Sequence, residues 1–498
     1  MTAPHHRVVI VGTGFSGLGM AIRLSQRGER DFVLLEKADD IGGTWRDNRY
    51  PGCACDVPSR LYSFSFDQKA DWSRDYAPAP EIWAYLQDVA RRHGVRDRVV
   101  LGADLRQARY DVERRRWELT AADGREWTAD ALVLGVGGLH QPARPDIEGL
   151  DDFAGALMHT AQWPEDDGLD GLRVGVVGTG ASAVQLVPEL APRAAHTTVF
   201  QRTPAWTMPK KDVEWSPRRQ RLFRRFPVLQ RAVRWRTYWE LEARAPLFVR
   251  FPALARLGER VALRELRKAV RDPEVRDRLT PRYRLGCKRI LLSSTYWPTF
   301  DRDDVSLVTE PIARVEPDAV VTADGARHEV DALVLGTGFA LTGSFDRIAV
   351  TGLDGRTLAQ EWSTGAHTHL GVTVAGFPEL YLLLGPNTGL GHSSVVMMSE
   401  FATRYALQGI ERARAAGASV TSDSAQAAFT AEMERRTRHT VWASGCRSWY
   451  LDRFGHNTAL WPGSTLAYWW RTRRIDDSVF VPVTNSPTAA RTKETIDA

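Results

Sequence analysis

The chain has 498 residues, of which 43% are hydrophobic, and its formal net charge is +5. A chain of this length can form two or more hydrophobic cores, and no apolar run approaches the roughly 20 residues that a membrane span requires. The mean hydropathy of -0.32 is typical of a water-soluble protein. Because the first predicted strand begins near Val8, we expect no signal peptide and a cytoplasmic location.

The cysteines give no sign of a disulfide framework or a metal site. Only 4 occur, and they are scattered along the chain. Cys53 and Cys55 are separated by one residue, which is not the spacing of a redox-active dithiol or of a zinc ligand pair. We therefore expect no metal, and we interpret all the cysteines as free thiols, namely Cys53, Cys55, Cys287 and Cys446.

The first of two glycine-rich loops spans residues 12–17, Gly-Thr-Gly-Phe-Ser-Gly. It follows an apolar run at 8–11 and precedes a predicted helix at 18–24, which is the strand, turn and helix order of a dinucleotide-binding unit. The glycines let the backbone approach a pyrophosphate at the helix N-terminus. The next predicted strand, 32–35, ends in Glu36, whose carboxylate can accept hydrogen bonds from a ribose diol and repels a 2′-phosphate. This loop is predicted to bind FAD.

The second loop spans residues 178–183, Gly-Thr-Gly-Ala-Ser-Ala, and has the same surroundings. It follows the apolar run 174–177 and precedes a predicted helix that extends to Leu190. The next predicted strand, 197–200, is followed by Arg202 instead of an acidic residue. A guanidinium offers planar, paired donors that suit a phosphate, so this loop is predicted to bind NADP(H) rather than NAD.

A repeat supports two copies of one nucleotide-binding unit. Asp123-Gly124 and Asp324-Gly325 are hairpin-turn dipeptides, and each precedes a nearly identical strand, at 130–135 and 331–336. A single glycine fingerprint can arise by chance in a loop, but two copies with correct flanking elements are hard to explain in that way. We predict an α/β fold with two Rossmann-like dinucleotide-binding domains, for FAD and NADP, and an inserted helical subdomain.

The predicted domains are discontinuous, because in flavoproteins with two dinucleotide domains the first domain is completed by C-terminal sequence. The predicted segments are 1–150 and 376–484 for the FAD domain, 151–211 and 286–375 for the NADP domain, 212–285 for the helical insertion, and 485–498 for a disordered tail.

The insertion interleaves arginines with aromatic residues. Such a stretch could bind nucleic acid or lie on a membrane surface. A helical subdomain with a solvated basic face is the simpler interpretation. We therefore expect no nucleic-acid partner and no stable membrane insertion. The residues concerned are Arg218, Arg219, Arg221, Phe223, Arg224, Arg225, Phe226, Arg231, Arg234, Trp235, Arg236, Tyr238 and Trp239.

Between the two units, residues 153–164 resemble the fingerprint of type I Baeyer–Villiger monooxygenases, Phe-x-Gly-x-x-x-His-x-x-x-Trp followed by Pro or Asp. The matching residues are Phe153, Gly155, His159 and Trp163. The related flavin-containing N- and S-monooxygenases carry Phe or Tyr at the position of Trp163. From this resemblance we expect His159 to order the linker between the domains and to take no part in the chemical step.

The resemblance extends through most of the chain. The other matching segments are 42–45 and 50–56 over the flavin, 201–204 at the NADP phosphate, 286–289 with its Lys-Arg pair, and 336–339 in the linker back to the FAD domain. Ala340 departs from the family pattern, which often has Asp there, and this puts a linker contact in doubt but no catalytic role.

The resemblance implies an NADPH- and O₂-dependent enzyme that converts ketones to esters or lactones through a flavin C4a-peroxide. Arg289 would stabilise the peroxide anion and the tetrahedral adduct, because a guanidinium keeps its proton near neutral pH. Asp56 would pair with Arg289 and hold it in position, and Lys288 would join Arg202 on the 2′-phosphate. A same-fold alternative is an S- or N-oxygenating flavin monooxygenase, which needs a neutral hydroperoxide.

The sequence therefore predicts Arg289 and Asp56 as the catalytic residues. The residues predicted to contact FAD or NADP(H) are Gly12, Gly14, Phe15, Ser16, Gly17, Glu36, Lys37, Gly43, Thr44, Trp45, Asp56, Tyr62, Gly178, Thr179, Gly180, Ala181, Ser182, Arg202, Thr203, Lys288, Gly338 and Asn387.

The sequence gives the least information about the substrate pocket. An aromatic block at 446–464 resembles C-terminal segments of related monooxygenases, and Trp449, Tyr450 and Trp461 could line the pocket or belong to the core. We expect a small-molecule ketone and O₂ as the partners of a monomer or homodimer.

Overall fold

The computed structural model describes residues 3–340, 345–446, 448–452 and 454–483. The tail predicted at 485–498 lies outside these residues. The strands are β1 (His5–Val11), β2 (Phe32–Leu35), β3 (Val99–Val100), β4 (Leu105–Asp111), β5 (Arg116–Ala121), β6 (Glu126–Leu134), β7 (Ala156–His159), β8 (Arg173–Val177), β9 (His196–Phe200), β10 (Thr207–Met208), β11 (Leu291–Leu292), β12 (Val305–Val308), β13 (Ile312–Glu316), β14 (Ala319–Thr322), β15 (Arg327–Glu329), β16 (Ala332–Leu335), β17 (Ala349–Thr351), β18 (Leu380–Leu382), β19 (Ser419–Thr421) and β20 (Phe480–Pro482).

Helices follow the glycine-rich loops and make up the insertion. They are α1 (Phe15–Gln26), α2 (Thr44–Asp47), α3 (Ala79–Arg92), α4 (Ala181–Leu190), α5 (Pro217–Arg225), α6 (Pro227–Glu242), α7 (Ala245–Val249), α8 (Ala255–Ala269), α9 (Pro273–Arg278), α10 (Tyr296–Thr299), α11 (Leu358–Glu361), α12 (Val395–Ala416), α13 (Asp423–Thr437) and α14 (Thr465–Thr472).

The first sheet places the first glycine-rich loop at the end of an interior strand. Its 8 strands include the path β17-β4-β5-β6-β1-β2-β3, and β18 pairs with β6. Strand β1 is parallel to both β2 and β6, so that Ile10 lies opposite Leu34 and Val133. These three side chains are buried, as expected for a parallel strand covered on both faces.

The late part of the chain completes this first sheet. Strand β18 adds in parallel to β6, and the long helix α12 packs against α1. The sequence places residues 345–375 in the second unit, whereas β17 pairs in parallel with β4, with Val350 opposite Ala108. A strand of 3 residues is too short to show a periodicity, which is why the sequence did not indicate this return.

The second sheet repeats the arrangement around the second loop. Its 5 strands have the order β12-β9-β8-β16-β7, and every pair in it is parallel. The 3-stranded antiparallel sheet of β13, β14 and β15 contains the second Asp-Gly turn. Strand β16, the repeat partner of β6, lies beside β8 just as β6 lies beside β1. The fold is α/β with two Rossmann-like units, as predicted.

The insertion contains helices α5 to α9 and contacts both units. Phe223 and Tyr238 are buried with the core of the first unit, whereas Leu266 is buried with the core of the second. Arg60 Nε donates a hydrogen bond of 2.8 Å to Thr237 Oγ1 on α6. Helix α6 is therefore fixed to the first unit although its sequence interrupts the second.

One expectation about the cysteines is wrong. Cys287 and Cys446 form a disulfide, with their Cα atoms 6.3 Å apart and a separation of 159 positions in sequence. Cys53 and Cys55 are free, as expected, and both are buried. Spacing along the chain gives no signal for a pair that tertiary structure alone brings together.

Among the helices that the structure describes, none combines the length and apolar composition of a membrane span. Within the same residues, no group of three or more His, Cys, Asp or Glu side chains has an arrangement suited to a metal ion.

Candidate active site

The two glycine-rich loops meet the same steric demand. Gly12 has φ +95°, and a Cβ there would lie 2.7 Å from the carbonyl oxygen of Gly135. Gly178 has φ +108°, and a Cβ there would lie 2.7 Å from the carbonyl oxygen of Gly336. The repeated strands β6 and β16 thus end against the first glycine of each loop. Only glycine can adopt this positive φ easily and also leave room for the nearby carbonyl oxygen.

The first loop lies close to a second glycine segment. A Cβ on Gly43 would lie 3.2 Å from Gly14 Cα, so two backbones approach closely at the start of α1. The hydroxyls of Ser393 and Ser394, which precede α12, are buried without a hydrogen-bond partner among the described residues. A narrow backbone cradle and unpaired buried hydroxyls fit a bound polar cofactor.

Glu36 is buried at the end of β2, where the sequence places a ribose acceptor. Its Oε2 accepts hydrogen bonds from the backbone N of Thr13 (3.1 Å) and from Thr13 Oγ1 (2.5 Å). Its Oε1 accepts from Arg46 Nη1 at 3.2 Å and from the backbone N of Ala38 at 3.1 Å. Sequence reasoning missed Arg46, whose buried guanidinium holds this carboxylate beside the loop.

Aromatic side chains form a wall next to the first loop. Phe15 and Tyr62 meet edge to face with ring centroids 5.1 Å apart, and Trp45 meets Tyr62 in the same way at 5.4 Å. Trp45 Nε1 also donates a hydrogen bond of 3.2 Å to the Tyr62 hydroxyl. Burial raises the pKa of Tyr62, so its phenol stays neutral. Three predicted residues, Phe15, Trp45 and Tyr62, are thus brought together. Thr44 begins α2, and its Oγ1 donates a hydrogen bond of 3.3 Å to the carbonyl of Leu139.

Two further predicted residues lie at the edges of this region. Ser16, on α1, accepts a hydrogen bond of 2.9 Å from the hydroxyl of Ser399 on α12. Lys37 lies 3.2 Å from Nδ1 of His140. Burial, followed by the charges of Lys37 and Arg347, lowers the pKa of His140 to about 4, so that this ring is neutral.

Thr179 of the second loop donates a hydrogen bond of 2.7 Å to the carbonyl of Thr203, which lines a basic cavity of about 370 Å³. Arg202 and Thr203 line it together with Arg278, Arg282 and Tyr283. Nearby, the ammonium of Lys288 lies over the Tyr283 ring, 4.9 Å from its centroid. Burial and the charge of Arg202 lower the pKa of Lys288. Asp277 also lines the cavity and pairs with Arg282 at 3.0 Å, so Arg202 and the nearby Lys288 are the cations available to an anion such as a phosphate.

Arg289 and Asp56 form an ion pair where the two units meet. Arg289 Nε and Nη2 donate to the same oxygen, Asp56 Oδ2, at 2.8 and 2.5 Å. Both side chains are partly exposed, at 30% and 25%. The carboxylate of Asp56 raises the pKa of Arg289, which keeps the guanidinium charged. The prediction that these residues meet, although 233 positions apart, is confirmed by their contact.

Helix α4 of the second unit fixes the segment that ends in Asp56. Gln185 Nε2 donates a hydrogen bond of 2.9 Å to the carbonyl of Ala54, and Gln185 Oε1 accepts one of 2.9 Å from the Tyr50 hydroxyl. A Cβ on Gly52 would lie 2.6 Å from the carbonyl oxygen of Gln185, and Gly52 has φ +78°. Sequence reasoning missed Gln185, because its position on α4 only becomes relevant when the units dock.

The other side of Arg289 faces the C-terminal block. Its Nη1 donates a hydrogen bond of 3.4 Å to the carbonyl of Leu390. The buried Tyr450 lies within electrostatic range of this guanidinium, and burial raises the pKa of Tyr450 to about 12. The Cys287–Cys446 disulfide connects the segment before Lys288 to the block that carries Tyr450.

A buried polar network links the insertion to the loop that carries Leu390. His392 Nε2 lies 3.3 Å from Glu242 Oε2, and because a carboxylate only accepts, the imidazole is the donor. Thr465 Oγ1 donates to the same oxygen at 2.7 Å. These hydrogen bonds lower the pKa of Glu242 against the opposing effect of burial. The sequence contained no signal for this network.

The fingerprint residues hold the connection between the units. His159 Nδ1 accepts from the backbone N of Ala161 at 3.0 Å, and its Nε2 lies 3.3 Å from Thr337 Oγ1. Burial lowers the pKa of His159, so the ring is neutral with its proton on Nε2. A Cβ on Gly155 would collide with the carbonyl of Asp331, and Phe153 and Trp163 are buried.

Two residues predicted to contact a cofactor form hydrogen bonds with backbone groups of the protein. Asn387 Nδ2 donates to the carbonyl of Asn457 at 2.6 Å, which anchors the C-terminal block. Gly338, with φ +83°, accepts at its carbonyl a hydrogen bond of 2.9 Å from the backbone N of Ala143. In the aromatic block, Tyr450 and Trp461 are buried, whereas Trp449 is 47% exposed.

Comparison with known proteins places this arrangement in a class. A family of NAD(P)-binding Rossmann-like domains matches residues 10–88. The fold and the two loops define a flavoprotein monooxygenase with two dinucleotide-binding units. The structure of a steroid monooxygenase bound to NADP is 31% identical to this chain, with a TM-score of 0.87, and the match covers 96% of this chain and 99% of that one. A monooxygenase named OTEMO, in complex with FAD and NADP, is 28% identical with a TM-score of 0.86, over 95% of this chain and 97% of that one.

The sequence relatives identify the family. A Baeyer–Villiger monooxygenase of Pseudomonas aeruginosa is 43% identical over 99% of this chain and 94% of its own length. The chain belongs to the Baeyer–Villiger monooxygenase family, as its fingerprint predicted, and it is an enzyme. The S- or N-oxygenating alternative is not favoured by these relatives.

Proposed function

We propose that Arg289 and Asp56 are the catalytic pair of a Baeyer–Villiger monooxygenase that converts ketones to esters or lactones with NADPH and O₂. The observation that carries this assignment is their ion pair between the two nucleotide-binding units, next to the loop of Leu390. FAD and NADP(H) are the cofactors of this enzyme.

Arg289 stabilises negative charge on oxygen at the reacting centre. Its guanidinium remains protonated near neutral pH, because Asp56 raises an already high pKa. Preorganised donors of this kind act on the tetrahedral adduct that forms when oxygen attacks a carbonyl carbon. Since Asp56 neutralises Arg289 in the resting site, the pair costs less to bury than an isolated charge.

Asp56 sets the direction of the guanidinium. It binds Nε and Nη2, whereas Nη1 is held by the carbonyl of Leu390 at 3.4 Å. The long Nη1 bond is the weaker constraint, so Nη1 is the donor best placed to turn toward a substrate oxygen. Gln185 fixes the backbone before Asp56 and thereby makes this geometry depend on domain docking.

The other predicted residues hold the cofactors. FAD fits the first loop, with Glu36 at the ribose and Phe15, Trp45 and Tyr62 beside the ring system; when bound, FAD and NADPH supply oxygen activation and hydride. Arg202 and Lys288 hold the 2′-phosphate of NADPH at the basic cavity, since each is a cation with no acidic partner among the described residues.

The substrate is a small ketone, and O₂ is the second substrate. The aromatic side chains of the C-terminal block, Trp449, Tyr450 and Trp461, support an apolar ketone. A monomer or homodimer and a cytoplasmic location complete the proposal.

The test follows NADPH consumption by the purified, FAD-loaded enzyme with cyclic, linear and aryl ketones, with products identified by mass spectrometry. We expect esters or lactones. Arg289→Ala should lose about 10²–10³-fold in ketone oxidation while NADPH still reduces the flavin. Arg302→Ala, which breaks an exposed pair with Asp304, is the matched control. Full ketone turnover by Arg289→Ala, or products without inserted oxygen, would contradict the assignment.

A further inference from the structure

Helix α6 presents an apolar face to solvent. Val228 is 75% exposed, Trp235 61% and Trp239 53%, and with Ala232 they follow the spacing of one helical stripe. The opposite face of α6 is buried against the first unit. Large aromatic side chains are seldom left in water without a partner, and a contiguous patch of them marks an interaction site.

Helix α14 extends this patch. The backbone N of Leu466 donates a hydrogen bond of 3.3 Å to Glu242 Oε1, which places Leu466 beside the last turn of α6. One turn further on, Trp470 is 59% exposed, and the guanidinium of Arg473 lies 3.2 Å from its ring centroid. We call the combined surface the α6–α14 face; it consists of Val228, Arg231, Ala232, Trp235, Trp239, Leu466, Trp470 and Arg473.

The surroundings of the α6–α14 face are basic, and part of this positive charge is not neutralised by ion pairs within the described residues. Residues 217–239 contain no Asp or Glu. Several exposed arginines form no ion pair within the described part of the chain, in contrast to Arg224, which pairs with Asp71, and Arg236, which pairs with Glu240. The arginines without such a pair are Arg218, Arg221, Arg225 and Arg231.

We propose that the α6–α14 face docks on the surface of an anionic lipid bilayer. Tryptophan and aliphatic side chains on one helical face enter the boundary between headgroups and acyl chains, and flanking arginines bind anionic headgroups. A second copy of this chain is a poorer fit, because a twofold contact sets these arginines against one another. Docking of this kind lies on the surface and involves no membrane span.

The docked face is connected to the active site through one helix. Glu242 ends α6, binds His392, and His392 belongs to the loop whose Leu390 carbonyl contacts Arg289. An enzyme docked through this face holds its site close to apolar ketones dissolved in the bilayer. The docking itself does not depend on which reaction the site performs.

The test is vesicle flotation with the FAD-loaded, full-length enzyme. Vesicles of phosphatidylcholine with about 30% phosphatidylglycerol should carry the protein, pure phosphatidylcholine vesicles should carry far less, and binding should fall as salt is raised. Trp235→Glu together with Trp239→Glu should weaken partitioning by about tenfold or more, and Arg231→Glu by at least about fivefold. NADPH oxidation with a water-soluble ketone should stay unchanged in these variants.

Val481→Glu is the matched control, since Val481 is 43% exposed on β20, outside the α6–α14 face. Four results would overturn the proposal: no flotation with anionic vesicles, equal flotation with both vesicle types, no effect of the tryptophan substitutions, or capture by polyglutamate or duplex DNA without vesicle binding. A dimer in light scattering that these substitutions dissociate would equally overturn it, because the face would then join two copies.

Discussion

Glu242 and His392 form a hydrogen bond of 3.3 Å between the end of helix α6 and the loop before helix α12. The side chains are 7% and 3% exposed, so this contact is shielded from solvent. It joins the insertion, which belongs in sequence to the second unit, to the loop that contacts Arg289. The insertion therefore helps to support the candidate active site.

Glu242→Gln should destabilise the protein by about 1–3 kcal/mol near neutral pH, because it removes a buried, hydrogen-bonded charge. The native pKa of Glu242 lies below its value of 4.5 in the unfolded chain. The stabilisation is therefore present above that value and is lost as pH falls through the native pKa. Urea unfolding from pH 7 to pH 3 should show the two proteins converging in acid. A constant difference would contradict the role of ionised Glu242, and Glu240→Gln, exposed on the same helix, should differ little from the parent.

Asp56→Asn should lower the kcat of ketone oxidation by about 10–100-fold, because the guanidinium of Arg289 loses the acceptor that orients it. Its effect on protein stability should be small, since both side chains are partly exposed. Stopped-flow measurement separates flavin reduction by NADPH, which should persist, from product formation. Equal losses in both steps would show that Asp56 acts on NADPH binding instead. Asp304→Asn, which breaks the exposed pair with Arg302, serves as the control.

Arg202→Ala should raise KM for NADPH by about 10–100-fold and leave NADH nearly unaffected, because it removes a charged partner of the 2′-phosphate. In the free enzyme, burial and Arg202 lower the pKa of Lys288 below 10.5. KM for NADPH should accordingly begin to rise at a pH below that value, and in Arg202→Ala this rise should shift to higher pH. Steady-state kinetics across alkaline pH tests both. Arg271→Ala, an exposed arginine paired with Asp301, should change neither.

Thiol titration under denaturing conditions should detect Cys53 and Cys55 alone before reduction, and all 4 cysteines after it. Reduction should also lower the unfolding midpoint. A disulfide that closes a loop of this length lowers the entropy of the unfolded chain and so stabilises the folded protein by up to about 5 kcal/mol. Cys446→Ser should reproduce the effect and respond no further to reductant, whereas Cys55→Ser should remain reductant-sensitive. Four reactive thiols in the unreduced protein would rule out the disulfide.

The sequence predicted the parts of the fold that local patterns determine. Gly12 and Gly178 have positive φ and lie close to other backbone atoms. Because only glycine fits such positions, the loops can be recognised from the sequence. The contact of Arg289 with Asp56 was predictable only from the family resemblance, because no local pattern links residues so far apart. Roles of the remaining cofactor residues stay predictions.

The parts that could not be predicted arise from contacts between units. Gln185 looks like any polar residue on a helix, and it acquires its role only when α4 meets the segment before Asp56. Cys287 and Cys446, like Glu242 and His392, are ordinary residue types in unremarkable surroundings until the chain folds. Neither the hydrophobic periodicity of the sequence nor the spacing of its residues indicates such pairings.

The two linkers between the nucleotide-binding units run side by side. Ala143 N donates to the carbonyl of Gly338, Ala340 N donates to the carbonyl of Gln141, and Thr337 is held between Ala143 and His159. These contacts form a double-stranded strap between the units, and the Cys287–Cys446 disulfide is a further covalent connection between them. The two connections together restrict rotation of one unit against the other. Arg289 follows Cys287 by two residues, so its ion pair with Asp56 lies beside the disulfide connection and not at a freely moving edge of the second unit.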